Sequence, residues 1–393
     1  MKIINEENSL VIKSWCENPE EGAINQARNL AKLPFAFRQI CLLPDTHQGY
    51  GMPIGGVLAT QGAVLPSAVG VDIACGMSAL KTSLTEISTE QLKTIMGKIR
   101  EAVPVGFNKH KEKQDRNRMP TVDIADALPG QLWNPIVNRE FDNALLSLGS
   151  LGSGNHFLEI QKGSDGHIWI MIHSGSRNLG KQVADHYNGI AKELNAKYFS
   201  KVPKEHDLAF LPLDSIEGQS YLKEMNYCVQ FAFANRKLMM DRTAEIFCTV
   251  TGSSIEPMIN IAHNYARMEH HFGKDVLVHR KGATSARKDE IGIIPGSQGT
   301  ASYIVKGLGN PDSFESCSHG AGRKMGRKEA IRSLNLEDEK AKLDAKGIIH
   351  SVRNAQDLDE APGSYKSIDV VMAEQADLVE ILVKLEPLAV IKG

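Results

Sequence analysis

Asp72 and Cys75 stand three positions apart in the stretch Val71-Asp72-Ile73-Ala74-Cys75-Gly76, where a tight turn would aim a hard carboxylate and a soft thiolate at one point. A bridging thiolate lets two cations share a ligand. Three histidines add imidazoles in turn-rich surroundings: Gly154-Asn155-His156, His173-Ser174-Gly175-Ser176-Arg177 and His263-Asn264-Tyr265. Such an O/N/S donor set suits manganese or zinc better than magnesium, which takes thiolate reluctantly. Taken singly, each histidine is more simply a hydrogen-bonded core or surface side chain, and an isolated Asp-x-x-Cys arises readily by chance. The shared glycine-rich setting is what favours convergence. A further histidine, His319, lies in Cys317-Ser318-His319-Gly320-Ala321-Gly322-Arg323-Lys324. A neutral imidazole there could attack an activated phosphoryl centre, with Arg323 stabilising negative oxygens and the glycine N–H groups forming a phosphate nest. The simpler reading of the same residues is a tight turn.

Charge narrows the partner only locally. The chain carries 45 Lys+Arg against 47 Asp+Glu, a net charge of -2, which excludes a uniformly basic nucleic-acid binder but not a segregated groove. Residues 271–330 hold ten basic and six acidic residues, an excess of four. The pairs Arg280-Lys281, Arg287-Lys288, Arg323-Lys324 and Arg327-Lys328 are ordinary surface residues on the simplest reading. Their place beside glycine-rich turns raises the expectation that this segment supports phosphates. The six cysteines show no C-x-x-C pair and no disulfide-type spacing, which fits a reducing compartment. No apolar run approaches a bilayer span and the N-terminal residues show no secretory pattern.

These residues need a scaffold, and the 393-residue chain with 42% hydrophobic residues is long enough to bury one. Ser88-Thr89-Glu90-Gln91 predicts a capping box opening a helix to about residue 103. Helices are also expected over 179–198 and 221–247, the latter burying Leu222, Met225, Val229 and Phe233. Short apolar runs at 55–64, 168–172, 276–278 and 383–391 read as strands. The mixture predicts an α+β fold, and the lack of a repeat or a long linker favours one domain over residues 1–393. The turns at 149–154 and 318–322 fit neither a Rossmann nor a Walker pattern.

Assembled, these motifs resemble the RtcB family of GTP-dependent RNA-splicing ligases. The resemblance rests on Pro44-Asp45-Thr46-His47-Gln48-Gly49, Gly70-Val71-Asp72-Ile73-Ala74-Cys75-Gly76 and Leu151-Gly152-Ser153-Gly154-Asn155-His156-Phe157. It continues through His173-Ser174-Gly175-Ser176-Arg177, His263-Asn264-Tyr265, Arg280-Lys281-Gly282-Ala283, Pro295-Gly296-Ser297, Ser318-His319-Gly320-Ala321-Gly322-Arg323 and Lys392-Gly393, and so spans the chain.

That resemblance implies an α+β fold around a central metal and nucleotide pocket. Asp72, Cys75, His156, His173 and His263 would bind two Mn2+ ions, with Cys75 shared. His319 would be the guanylylated nucleophile. Asn155 would contact phosphate or nucleotide, Arg177 RNA or terminal phosphate, and Arg323 the nucleotide near His319. Glu159, Ser297, Tyr365 and Lys392 would surround guanine. The implied reaction consumes GTP and joins RNA 3′-phosphate or 2′,3′-cyclic-phosphate ends to 5′-hydroxyl ends, in RNA repair or tRNA splicing. The same resemblance implies a cytoplasmic monomer, with an activator of guanylylation or product release as a further partner. Departures from patterns frequent in close bacterial members are Gln298 where Met is frequent, Ala262 before His263, and Ser367 where Asp is frequent. None removes an implied ligand. A nucleotidyltransferase or phosphatase that never seals RNA, and a noncatalytic RNA binder, are the competing readings.

Overall fold

The computed structural model describes residues 1–121 and 135–393. Two large sheets carry the fold. One joins, in spatial order, Lys2–Ile4, Val11–Ser14, Ala36–His47, Ile54–Thr60, Lys274–Lys281 and Asn264–His271. The other joins Ile259–Ala262, Gly76–Lys81, Ile168–Ser174, Phe157–Gly163, Val379–Lys392, Ser302–Gly307 and Ile291–Ile294, every pair antiparallel. Helices pack against these sheets, and the α+β expectation holds.

Both sheets are covered on two faces, as the period-two alternation of strand side chains allows. In the seven-stranded sheet Leu158, Ile160, Ile170 and Ile172 pack with Leu92, Ile95 and Met239 of two helices. Their neighbours Phe157, Trp169 and Met171 join Leu343, Ile348 and Leu385 on the other face. In the six-stranded sheet Ile40, Leu42 and Leu58 meet Ala27 and Leu30 of the helix Glu21–Ala31. The alternate residues Cys41, Leu43, Val57 and Val278 pack with Tyr303, Phe314 and Met372.

The helix Thr89–Ala102 opens with the expected capping box, Ser88 and Gln91 each bonding the other's backbone N–H. The predicted helices are present as Arg177–Lys197 and Ile216–Thr251, and the predicted strands lie within Ile54–Thr60, Ala63–Val64, Ile168–Ser174, Lys274–Lys281 and Val379–Lys392. Two expectations are corrected. Residues 55–64 form two strands rather than one run, with Gly62 at φ +73° turning the chain between them. The buried stripe of Ile216–Thr251 is Tyr221, Met225, Cys228, Phe231, Ala232, Asn235 and Arg236, whereas Leu222, Val229 and Phe233 are only partly buried at its flank. The helix is packed by neighbours around most of its circumference, so apolarity alone does not mark its most enclosed side.

Strand register gathers the site. Four adjacent strands end at one edge of the seven-stranded sheet, with Ala262 opposite Gly76, Gly76 opposite Ser174, and Phe157 opposite His173. Cys75, His156, His173 and His263 therefore come together at that edge. His263 is also the single residue between Ile259–Ala262 of this sheet and Asn264–His271 of the other. The short pair Ala283–Ser285 and Ser316–Ser318 then delivers His319, with the Ala283 N–H donating to the His263 carbonyl at 3.1 Å.

A buried histidine away from this edge gives the fold a pH signature. His279 is fully buried, its Nε2 accepting from the Leu65 N–H at 3.1 Å, and burial pulls its pKa down to about 4. An unfolded chain takes up that proton near pH 6.5, so between the two values the folded state binds fewer protons and stability falls as pH falls. Chemical denaturation from pH 7 to 4 is expected to show a loss of up to about 3 kcal/mol from this residue. The difference between the parent and His279→Gln isolates it, and parallel pH profiles for the two proteins would contradict the assignment.

Candidate active site

Two ligand triads share one sulfur. Cys75, His173 and His263 form one, and Asp72, Cys75 and His156 the other, each with donor atoms within 4.8 Å of one another. The Cys75 Sγ lies 3.3 Å from His156 Nε2 and 3.2 Å from His173 Nε2, while His173 Nε2 and His263 Nε2 are 3.4 Å apart. The remaining ring nitrogens explain the tautomers. His156 Nδ1 donates to the Leu151 carbonyl at 2.9 Å and His173 Nδ1 to the Asn155 carbonyl at 3.0 Å. Both rings thus turn an Nε2 lone pair inward, the arrangement a metal-ligating histidine requires. Burial and neighbouring imidazoles hold His173 and His263 well below the ordinary histidine range, so they are neutral and ligand-competent. Burial pushes the Cys75 thiol up, and the Asp72 carboxylate adds to that. Lone pairs and a thiol facing one another without intervening donors are costly unless a cation sits among them, and the O/N/S donor set fits a borderline divalent ion.

The loops bearing these ligands are clamped from beneath by the helix Ile216–Thr251. Asn235 Oδ1 accepts the N–H groups of Gly149 and Ser150, and its Nδ2 donates to the Ser150 and Gly175 carbonyls and to Ser174 Oγ. Arg236 donates through Nη1 to the Ala74 and Ser174 carbonyls at 3.1 and 2.8 Å and through Nε to Asn260. Both side chains are fully buried. Ala74 holds φ +61° between Ile73 and Cys75, a conformation that costs about 1–3 kcal/mol and persists only under such restraint. Gly152, at φ +99°, admits no side chain, because a Cβ would overlap the Arg177 guanidinium and the His156 ring.

His319 sits at the end of a row of imidazoles. Successive ring centroids are 5.4 Å from His156 to His173, 5.2 Å to His263 and 4.8 Å to His319. Its Nδ1 donates to Asp45 Oδ2 at 2.5 Å, and its backbone N–H donates to the same oxygen at 3.0 Å. Asp45 is fully buried and ends the strand Ala36–His47 together with Thr46 and His47. Fixing the proton on Nδ1 leaves the Nε2 lone pair as the nucleophilic one.

One cavity of about 810 Å³ holds this row and most of the anticipated residues, among them Asp72, Cys75, Asn155, Arg177, Ser297, His319, Arg323, Tyr365 and Lys392. Glu159 is not on its wall. It is buried behind, accepting from Gln161 Nε2 at 2.7 Å, and burial raises its pKa to about 8. Besides Asp72, a carboxylate that does face the cavity is Glu360, which the sequence reading missed. It pairs with Arg323 at 3.2 Å and Arg327 at 2.9 Å, accepts the Tyr365 hydroxyl, and lies 3.9 Å from Lys392. Burial opposes its ionisation, but Lys392 and Arg327 hold it below the usual carboxylate range. Arg323 also stacks over the Tyr365 ring at 5.2 Å. Gln298, one of the departures, donates to the Glu360 carbonyl at 3.0 Å. The basic segment is corrected in part. Lys281, Arg323 and Arg327 reach the cavity, but Arg280 is fully buried in a two-pronged pair with Glu269, at 2.6 and 3.0 Å.

Asp45 appeared in the sequence only inside a motif. Asn235 and Arg236 had a detectable signal, since they place polar groups on the otherwise apolar stripe of their helix. If they orient the ligand loops, Arg236→Met is expected to weaken Mn2+ binding by about 10–100-fold in isothermal titration. An unchanged affinity in a folded variant would remove Arg236 from that role.

Comparison with known proteins follows the same contours. The family model described as "tRNA-splicing ligase RtcB" matches residues 26–393. The chain is 39% identical to the RNA-splicing ligase RtcB of Escherichia coli strain K12, covering 100% of this chain and 99% of that protein. It is 32% identical to the tRNA-splicing ligase RtcB of Thermococcus kodakarensis, over 95% of this chain and 92% of that one. A Mycobacterium tuberculosis RNA-splicing ligase RtcB is 33% identical over 94% of this chain and 100% of its own length. With the Cys75-centred donor set and His319 in one cavity, these matches establish that the chain belongs to the RtcB family of tRNA-splicing ligases.

Proposed function

We propose that the protein is a GTP-dependent RNA ligase that joins RNA 3′-phosphate or 2′,3′-cyclic-phosphate ends to 5′-hydroxyl ends, in RNA repair or tRNA splicing. The observation that carries this reading is His319, oriented by a buried carboxylate and placed 4.8 Å, ring to ring, from a candidate metal ligand within one cavity. Two Mn2+ ions, held by Asp72, Cys75 and His156 and by Cys75, His173 and His263, would supply neutralisation of phosphate oxygens.

His319 Nε2 attacks the α-phosphorus of GTP, the bond to the β-phosphate oxygen breaks, and pyrophosphate leaves. Asp45 keeps the Nδ1 proton and balances the positive charge that grows on the ring as the N–P bond forms. The lone RNA 3′-phosphate, released by water from a cyclic phosphate where necessary, then displaces His319 from the guanylyl phosphorus. Its oxygen forms the new P–O bond and the P–N bond breaks. Finally the 5′-hydroxyl oxygen attacks the RNA phosphorus and forms the phosphodiester as the P–O bond to the guanylyl phosphate breaks; the hydroxyl proton passes to solvent and GMP departs with the bridging oxygen. Arg323 and Arg327, fixed by Glu360, and Arg177 are the cations suited to the nucleotide and the RNA phosphate. Ser297, Tyr365 and Lys392 line the same cavity and suit the guanine surroundings; Asn155 suits the phosphate. Glu159, buried behind the cavity wall, is read as part of the guanine surroundings on the family resemblance alone. We further read the chain as one domain and a cytoplasmic monomer. No helix among the described residues is long and apolar enough to cross a membrane.

GTP labelled at the α-phosphate is expected to leave acid-labile label on the protein with Mn2+, and His319→Ala to abolish it. Asp45→Asn, which disturbs the tautomer, is expected to slow labelling by about 100-fold or more. RNA with 3′-phosphate and 5′-hydroxyl ends should join only when GTP is present. Phosphate release without joining would instead indicate a phosphatase, and RNA association without labelled protein a binding module.

A further inference from the structure

Among the exposed large apolar side chains of the described residues, Phe107 is the most exposed at 92%. A single exposed apolar residue needs no explanation, and Phe199, at 90%, is not on the wall of the central cavity. Phe107 differs because it stands on the wall of the central cavity. Its backbone is held firmly there. The Gly106 N–H donates to the Gly152 carbonyl at 2.7 Å, Arg177 Nη2 donates to the Gly106 carbonyl at 3.1 Å, and Asn108 N–H closes a turn onto Val105 at 3.2 Å. Val105 also bridges Gly152, in the loop that leads to His156. The ring is therefore displayed in open solvent on a base tied to a metal-ligand loop and to Arg177.

Cations surround it on the same wall. Arg177 and Lys181 are four residues apart on the helix Arg177–Lys197 and so share a face, and Lys109 follows Phe107 by two positions. The ion pair of Lys181 with Asp185 is exposed, and such pairs hold their partners only weakly. Lys109 donates to Asn143 Oδ1 at the surface. An open aromatic face flanked by cations is how proteins hold single-stranded nucleic acid: the ring takes a base and the cations take the adjoining phosphates. This wall adjoins the His156 end of the imidazole row, whereas His319 closes the other end. The base in question is thus not the guanine delivered to His319.

We propose that Phe107 is a stacking platform for a nucleobase next to the reacting end of single-stranded RNA, with Lys109 and Lys181 meeting the phosphates that follow. This rests on the RNA-ligase reading and adds to it a position for the RNA strand. It is tested with full-length protein and a short RNA carrying 3′-phosphate, with 2-aminopurine near that end. Stacking predicts fluorescence quenching on binding, and loss of both quenching and about ten-fold or more of RNA affinity in Phe107→Ala. Phe107→Tyr restores both, and labelling of the protein by GTP is unchanged in either variant. Equal RNA affinity and quenching in the parent and Phe107→Ala would overturn the proposal, as would a parallel loss of GTP labelling. The binding measurement needs no catalysis. If the parent is never labelled by GTP the ligase reading fails, while the stacking of RNA on Phe107 is still decided.

Discussion

The fold turns on the cost of bringing like-natured groups together. Three imidazole lone pairs, a thiol and a carboxylate are drawn to one point, and none of them offers the others a satisfactory hydrogen-bond donor. Water cannot relieve this where Cys75, His156, His173 and His263 are all buried. The chain accepts the arrangement because two of the imidazoles are held from their far sides, while the Nδ1 of His263 is buried without a partner. Carbonyls take the Nδ1 protons of His156 and His173, and strand register fixes the spacing. Asn235 and Arg236 restrain the loops from below. The same logic recurs at His319, where Asp45 orients one nitrogen so that the other is free to react.

Buried charge is used sparingly but repeatedly around this point. Arg236, Arg280, Asp45 and Glu360 are each almost wholly removed from water; the first two and Glu360 are answered by several partners, whereas Asp45 is answered by His319 alone, twice through Oδ2. Removing one partner of such a group is far more damaging than never having buried it. Glu360 illustrates the use. A single carboxylate sets the positions of two guanidinium groups and a phenol, so a cavity that must receive phosphates keeps its cations from collapsing onto one another.

Much of this was legible where the determinants are local. The capping box at Ser88 lies within four residues and could be read directly. The ligand set was legible because metal chemistry restricts residue types, and the family resemblance tied Asp72 to His263 across 191 positions of chain, the difference between those two numbers. Partnership across the fold was not legible. Arg280-Lys281 looks like a solvated basic pair, yet its strand is covered on both faces and Glu269 answers it from the neighbouring strand. Glu360 looks like one acid in an acidic run, 357–360, until the backbone brings Arg323 and Arg327 to it. Glu159 shows the converse: a motif gives the residue, but only burial shows that its carboxyl lies behind the cavity wall.

His263 belongs to neither sheet and joins both. The triad of Asp72, Cys75 and His156 draws only on segments that adjoin the seven-stranded sheet, whereas that of Cys75, His173 and His263 includes this joint. The two triads therefore differ in the elements they draw on. Were cations to fill both triads, the one at Cys75, His173 and His263 would fasten the segment that joins the two sheets to the edge that carries Cys75, and so would tie sheet alignment to the seat of His319.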